Sequence, residues 1–122
     1  MPSTRPCCAT TRSRNPWLYG ENGKTPAPDY FFHKGGMVNL TRYLASHYGH
    51  KGVRVNVVSP GGIVNPENPP PAQFLERYGN MTMLGRMADA QEIGGATVFL
   101  LSDASVYITG VNLPVDGGYT AK

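Results

Sequence analysis

A chain of 122 residues with 40% hydrophobic and 16% charged residues is long enough for one small domain and too short for two. No apolar run approaches the roughly 20 residues that span a bilayer, and the N-terminus lacks the apolar core of a signal peptide. The two cysteines, Cys7 and Cys8, are adjacent and cannot link distant segments, and no Cys or His spacing indicates a metal site. We therefore predict a cytoplasmic protein with no membrane partner and no bound metal.

The net charge of +3 belongs to the first part of the chain. Residues 1–28 hold four basic side chains and one acidic side chain, whereas the charges of residues 29–122 balance. An excess of this kind is found in nucleic-acid-binding arms and in transit peptides. Here the basic residues are not clustered and show no helical period, so we favour a poorly ordered leader and loop over residues 1–28, with no nucleic-acid partner.

Residues 30–48 show the spacing of a long helix with one broad apolar face. Asp29 suits its N-cap or its first turn, and Gly49 or Gly52 can close it in a left-handed conformation. Gly35 and Gly36 disfavour a helix, so either another backbone or a ligand approaches closely there, or they are tolerated surface glycines. The core-facing candidates are Met37, Val38, Leu40, Thr41, Leu44, Ala45 and Tyr48.

Tyr30 and Lys34 stand one turn apart on this helix. A fixed cation beside a phenol favours the phenolate and lowers the pKa of the phenol towards the working range of a general acid or base. The pair therefore predicts acid/base chemistry. The alternative is a half-buried ring beside a solvated charge, which is common on helices.

Residues 53–59 form a short β-branched run that predicts a strand. It ends at Pro60-Gly61-Gly62-Ile63 and a proline-rich loop, as strands of open α/β sheets do where ligands bind, although the prolines could be only a rigid linker. Shorter and longer helices are predicted at 72–79 and 89–101, and a last strand at 111–115. The inward stripe of the longer helix consists of Ile93, Ala96, Thr97, Leu100 and Leu101.

Six blocks in this order resemble the C-terminal half of a short-chain dehydrogenase/reductase, over residues 29–120. The blocks are Tyr30-x-x-x-Lys34, Arg54-Val55-Asn56 with Ser59-Pro60-Gly61-Gly62-Ile63, Leu84-Gly85-Arg86-Met87, Phe99-Leu100-Leu101-Ser102-Asp103, Ile108-Thr109-Gly110, and Val115-Asp116-Gly117-Gly118. The resemblance implies an α/β fold: the C-terminal part of a Rossmann-type doubly wound parallel sheet, incomplete in this chain, at residues 29–122.

The same resemblance implies an oxidoreductase that uses NAD or NADP to interconvert an alcohol and a carbonyl compound. Tyr30 would be the acid/base, and Lys34 would bind the nicotinamide ribose and lower the pKa of Tyr30. Pro60, Gly61 and the backbone of Ile63 would line the nicotinamide. The family's threonine just beyond this turn is replaced by Val64 and Asn65. Full-length members are commonly homo-oligomers.

The family's glycine-rich turn, which receives the cofactor's pyrophosphate at a helix N-terminus, has no counterpart in this sequence. The family's catalytic serine and the asparagine of its proton relay also lack clear counterparts, since Ser13 and Ser3 show no strand-like context. The sequence therefore predicts a truncated oxidoreductase, or alternatively a non-catalytic oligomerisation remnant of such a protein. With only two predicted strands, we expect Val55, Val57 and much of the face at 37–44 to be exposed.

Overall fold

The computed structural model describes the backbone of residues 6–10 and 28–31 and all atoms of residues 32–122. Helices and strands follow one another as in an α/β protein, which confirms the predicted fold class. In chain order they are β1 (Pro6–Thr10), α1 (Pro28–Tyr48), β2 (Arg54–Pro60), α2 (Ala72–Met81), α3 (Ala90–Leu101) and β3 (Asn112–Val115), with 3₁₀ turns at Gly49–Lys51 and Asp103–Ser105.

The three strands form one parallel sheet in the order β1-β2-β3. Thr10 pairs with Val58 at the end of β1, and Val58 pairs with Leu113 of β3. The two strands predicted from the sequence are confirmed with their boundaries moved by one residue, and they pair in parallel. This arrangement is an incomplete Rossmann-type sheet with β2 at its centre.

Strand β1 was not predicted, and for residues 6–10 the expectation of an irregular leader was wrong. Strands of parallel sheets read as short apolar runs rather than as an alternating pattern, and Cys7-Cys8-Ala9 is too short a run to stand out. Pairing with β2 supplies the backbone hydrogen bonds that define this strand. Residues 1–5 and 11–27 of the expected leader lie outside the described part of the chain.

Strand β2 is buried over its first five residues. The prediction that Val55 and Val57 are exposed was wrong, since Val57 has no accessible surface. Successive side chains alternate between the faces of a sheet. Val58 packs with Ile93 and Leu100 of α3, so its neighbours Val55 and Val57 face α1, which packs against the same strand.

Helix α1 begins at Pro28, which places Asp29 in its first turn rather than at its N-cap. Thr41 and Ala45 are buried as predicted, whereas Leu40 and Tyr48 are exposed. Within the described residues the sheet below the helix has three strands, so it covers a narrower stripe of α1 than the sequence period suggests. Gly52, with a φ of 74°, closes the 3₁₀ turn that follows the helix.

Helix α3 begins with a capping box. The side chain of Asp89 accepts from the backbone of Glu92, and the side chain of Glu92 accepts from the Asp89 backbone amide. Ile93 and Leu100 are buried as the predicted stripe requires, but Leu101 is exposed. Among the helices of residues 28–122, none is both long and apolar enough to cross a membrane.

Candidate active site

Tyr30 and Lys34 lie in the first two turns of α1. The helix that connects two parallel strands runs antiparallel to them, so its first turns lie at the edge where the strands end. The topology thus brings Tyr30 and Lys34 to the same edge as the turn that follows β2. Lys34 is half-buried, and the side chain of Tyr30 lies outside the described atoms.

The turn at 60–63 contains two glycines at positions where packing within the chain leaves no room for a side chain. A Cβ atom at Gly61 would lie 2.7 Å from the Cα of Asp116, and one at Gly62 would lie 2.6 Å from Cζ of Tyr78. The Gly61 amide donates to the carbonyl oxygen of Val115 at 2.9 Å. Tight packing against β3 and α2 therefore explains both glycines.

Ile63 forms a single parallel bridge with Ala88, which lies just before α3. The bridge uses the carbonyl oxygen of Gly62, which accepts from Ala88, and the amide of Val64, which donates to Ala88, each at 2.9 Å. The amide of Ile63 itself points away from Ala88 and donates to none of the described residues. Ile63 as a whole is 39% exposed.

Gly35 and Gly36 show no such crowding. No atom of residues 32–122 outside the local helix backbone lies within 4 Å of a Cβ placed at either position. Within the described part of the chain, the close backbone approach suggested by the sequence is therefore absent. The close approach of a ligand at these positions stays a prediction, as does the alternative of tolerated surface glycines.

A cavity of about 120 Å³ is lined by the turn after β2, by the end of β3 and by the segment before α3. At its rim, the two terminal nitrogens of Arg86 donate to the two carboxylate oxygens of Glu92, each at 2.7 Å. Asp116 accepts from Gly118 and from the backbone and hydroxyl of Thr120. The charged groups that line the cavity are therefore already engaged.

The Arg86–Glu92 pair perturbs both of its members. The hydrogen bond from Arg86, followed by the one from the Asp89 amide, lowers the pKa of Glu92 from 4.5 to about 2. The same hydrogen bond raises the pKa of Arg86. Among the residues that the structure describes, no group of His, Cys, Asp or Glu side chains could hold a metal ion.

Sequence reasoning missed Tyr78, whose hydroxyl oxygen accepts from the Gly62 amide. The available signal was weak: an aromatic ring one turn after Phe74 on a helix preceded by prolines. The candidate serines Ser3 and Ser13 lie outside the described residues. Strand β1 ends at Thr10, three residues before Ser13, at the edge where Tyr30 lies.

Comparison with known proteins identifies the family to which the chain belongs. The family model described as enoyl-(acyl carrier protein) reductase matches residues 19–120. Meso-2,3-butanediol dehydrogenase from Serratia marcescens is 38% identical over 120 residues, which cover 98% of this chain and 46% of that protein. This match reaches further towards the N-terminus than the resemblance over 29–120.

Two solved structures extend the comparison. A short-chain dehydrogenase from Leptospira borgpetersenii with bound NAD+ has a TM-score of 0.80 and 33% identity, over 94% of this chain and 44% of that chain. A gluconate 5-dehydrogenase from Burkholderia cenocepacia in complex with NADP and tartrate has a TM-score of 0.80 and 25% identity, over 98% and 46%. This chain spans less than half the length of these proteins. It belongs to the short-chain dehydrogenase/reductase family.

Proposed function

We propose that this chain supplies the tyrosine-bearing half of an NAD(P)-dependent oxidoreductase that interconverts an alcohol and a carbonyl compound. The observation that carries the proposal is that the start of α1 and the turn after β2 lie at the same edge of the sheet. The first turns of α1, with Tyr30 and Lys34, lie at the end of the sheet where the turn after β2 presents the Ile63 amide, which donates to none of the described residues.

The proposed roles follow from the chemistry of these groups. Tyr30 gives its hydroxyl proton to a carbonyl oxygen during reduction and takes a proton from the alcohol during oxidation. Lys34 favours the phenolate by its positive charge and binds the nicotinamide ribose. NAD or NADP, when bound, accepts or supplies the hydride.

The turn after β2 fits the nicotinamide end of such a cofactor. The N–H of Ile63, which has no acceptor among the described residues, suits a carboxamide oxygen, and Pro60 and Gly61 form the adjacent backbone. The pyrophosphate end has no such fit, because the sequence contains no glycine-rich turn whose amides could receive it. We therefore assign no pyrophosphate site to the described residues, and the proposal covers the nicotinamide end of the cofactor only.

The names of relatives bear on the substrate class. The Serratia marcescens relative is a dehydrogenase of a diol, and a Cereibacter sphaeroides relative, 40% identical over 100 residues, is a galactitol 2-dehydrogenase. Both names describe oxidation of a hydroxyl group in a small molecule. We propose a small alcohol or the corresponding carbonyl compound as substrate, and a homo-oligomer as the complete assembly.

The test uses a chimaera in which the N-terminal portion of the Serratia marcescens relative precedes this chain. Tyr30→Phe removes one hydroxyl and should lower kcat by about 100-fold to 10,000-fold, because general acid/base catalysis contributes that much. Tyr43→Phe is the matched control: it lies on the same helix, is 62% exposed, and should leave kcat unchanged. Near-normal turnover in Tyr30→Phe would refute the assignment.

Lys34→Ala in the same chimaera separates the second role. It should weaken cofactor binding and move the alkaline limb of the pH–rate profile, because it removes a ribose contact and a charge that favours the phenolate. Lys51→Ala, at the opposite end of the helix region, should do neither. An unchanged pH profile in Lys34→Ala would mean that the ammonium does not tune the tyrosine.

A second candidate function is non-catalytic oligomerisation. It is favoured by the outer face of α1, where Phe32 is 78% exposed and Leu40 is 46% exposed, since large exposed apolar side chains mark association surfaces. The DNA upstream of the coding region discriminates between the two. A segment that encodes a glycine-rich nucleotide-binding turn in any frame favours the oxidoreductase, and a promoter and start site immediately before Met1 favour the second candidate.

A further inference from the structure

The side chain of Tyr78, in α2, contacts the turn that follows β2. Its side chain is 1% exposed, and its ring lies between Phe74, with centroids 6.2 Å apart, and Tyr119, with centroids 5.4 Å apart. Its hydroxyl oxygen accepts the hydrogen bond of the Gly62 amide. A buried ring held on both sides by other rings gives this hydroxyl a fixed position.

The amides of the turn are held by different parts of the fold. Gly61 donates to β3, Gly62 donates to Tyr78, and Val64 donates to the segment before α3. The Gly62 bond differs from the others, because its acceptor is a side chain. The Ile63 amide donates to none of the described residues and is the one that we assign to the cofactor.

The direction of the Ile63 N–H depends on the conformation of Gly62. In a trans peptide the N–H points opposite to the preceding carbonyl, so the Gly62 carbonyl and the Ile63 amide turn together. Glycine has unusual rotational freedom, and the ring of Tyr78 leaves no room for a Cβ at this position. Tyr78 therefore makes glycine necessary at residue 62. Its hydroxyl holds the peptide that precedes Gly62, while the Ala88 amide holds the carbonyl of the peptide that follows it.

We propose that Tyr78 is a positioning residue for the nicotinamide site: it fixes the peptide that precedes Gly62 and, together with the Ala88 contact to the peptide that follows, keeps the Ile63 amide facing the cofactor. The inference rests on the proposed function, because that proposal assigns the Ile63 amide to the nicotinamide. It adds a residue of α2, outside the family blocks of the sequence, to the group that determines cofactor affinity.

The experiment uses the full 122-residue chain labelled with ¹⁵N. Tyr78→Phe keeps the ring but removes the acceptor, so hydrogen exchange of the Gly62 amide should accelerate by about 10-fold, the size expected for one lost buried hydrogen bond. Nicotinamide mononucleotide, which lacks the adenylate end, should shift the Ile63 amide signal in the unchanged chain when it is added at concentrations far above those of cellular cofactors. Its affinity should fall by about 3-fold to 10-fold in Tyr78→Phe.

Ser105→Ala is the matched control for a general loss of stability. It also removes a buried hydroxyl, one that accepts from Arg54 at 2.9 Å at the other end of the sheet. It should alter exchange across β2 uniformly and leave the response of Ile63 to the mononucleotide unchanged. A purely structural Tyr78 would behave in the same way as Ser105, which would overturn the proposal.

The outcomes separate the two proposals. If the mononucleotide fails to shift Ile63 in the unchanged chain, the cofactor assignment under the proposed function is wrong, and the exchange rate of Gly62 still decides whether Tyr78 orders the turn. If the shift occurs and is the same in Tyr78→Phe, the cofactor assignment stands and the positioning role is overturned. Selective loss in Tyr78→Phe supports both.

Discussion

The guanidinium of Arg54 donates a 2.8 Å hydrogen bond to the carbonyl oxygen of Leu100, which ties the first residue of β2 to the last turn of α3. The same group donates to Ser105 at 2.9 Å and to the carbonyl of Ser102 at 3.2 Å. Arg54 is 5% exposed, and its guanidinium donates to carbonyl and hydroxyl oxygens. Carbonyls at a helix C-terminus carry partial negative charge, so they suit a buried cation.

Arg54→Met should therefore lower the free energy of unfolding by about 3 kcal/mol, because several hydrogen bonds from a buried charged donor are lost and their acceptors remain buried. Urea unfolding at a fixed protein concentration measures this change. Arg77→Met, at an exposed position of α2, should change the stability by less than about 0.5 kcal/mol. Equal effects of the two substitutions would contradict the structural role of Arg54.

The Arg86–Glu92 pair predicts an acid-dependent loss of stability. The pKa of Glu92 is lowered to about 2 in the folded chain, below its ordinary value of 4.5, so its contribution is present above pH 4.5. It is lost as the pH falls from about 4.5 to 2. Glu92→Gln should be less stable than the unchanged chain at pH 7 and should lose less stability across that window.

Thermal unfolding between pH 2 and pH 7 measures the effect of Glu92. Glu76→Gln, an exposed carboxylate change on α2, serves as the control and should leave the acid limb unchanged. Added salt should weaken the contribution of the pair, since both of its side chains are exposed. An acid limb that is the same in Glu92→Gln would show that the pair does not contribute.

Self-association of the isolated chain is a further prediction. Phe32, Leu40 and Tyr43 on α1 and Val98 and Val106 near the end of α3 are large exposed apolar side chains. Sedimentation velocity should show species larger than the 13.2 kDa monomer as the concentration rises. Leu40→Glu should reduce association, whereas a monomer at all concentrations would contradict the prediction.

Binding of the complete cofactor should be too weak to measure at cellular concentrations. The contacts that we propose at the end of β2 involve only the nicotinamide, and no glycine-rich turn in the sequence provides amides for the pyrophosphate. Isothermal titration calorimetry with NADH and NADPH tests this expectation. Micromolar affinity of either for the purified chain would contradict it, while the chimaera with a relative's N-terminal portion should bind.

Local sequence patterns were enough to identify α1, β2 and α3. The helical period of residues 30–48 and the β-branched run of residues 53–59 are properties of neighbouring residues, so they can be read without the fold. The placement of Tyr30 and Lys34 one turn apart follows from the same period. The ordered blocks also indicated the family, which the comparisons confirmed.

Features that depend on contacts between distant residues required the tertiary structure. The sequence contains no sign that Pro6–Thr10 pairs with β2, because the strand forms through a partner more than forty residues away. For the same reason the prediction that Val57 is exposed was wrong. Val57 is covered by α1 and lies on the central strand, between β1 and β3. From the sequence, Gly62 was predicted to be a turn residue. Only the packing shows that the ring of Tyr78 excludes a side chain at this position and that the Tyr78 hydroxyl binds the Gly62 amide.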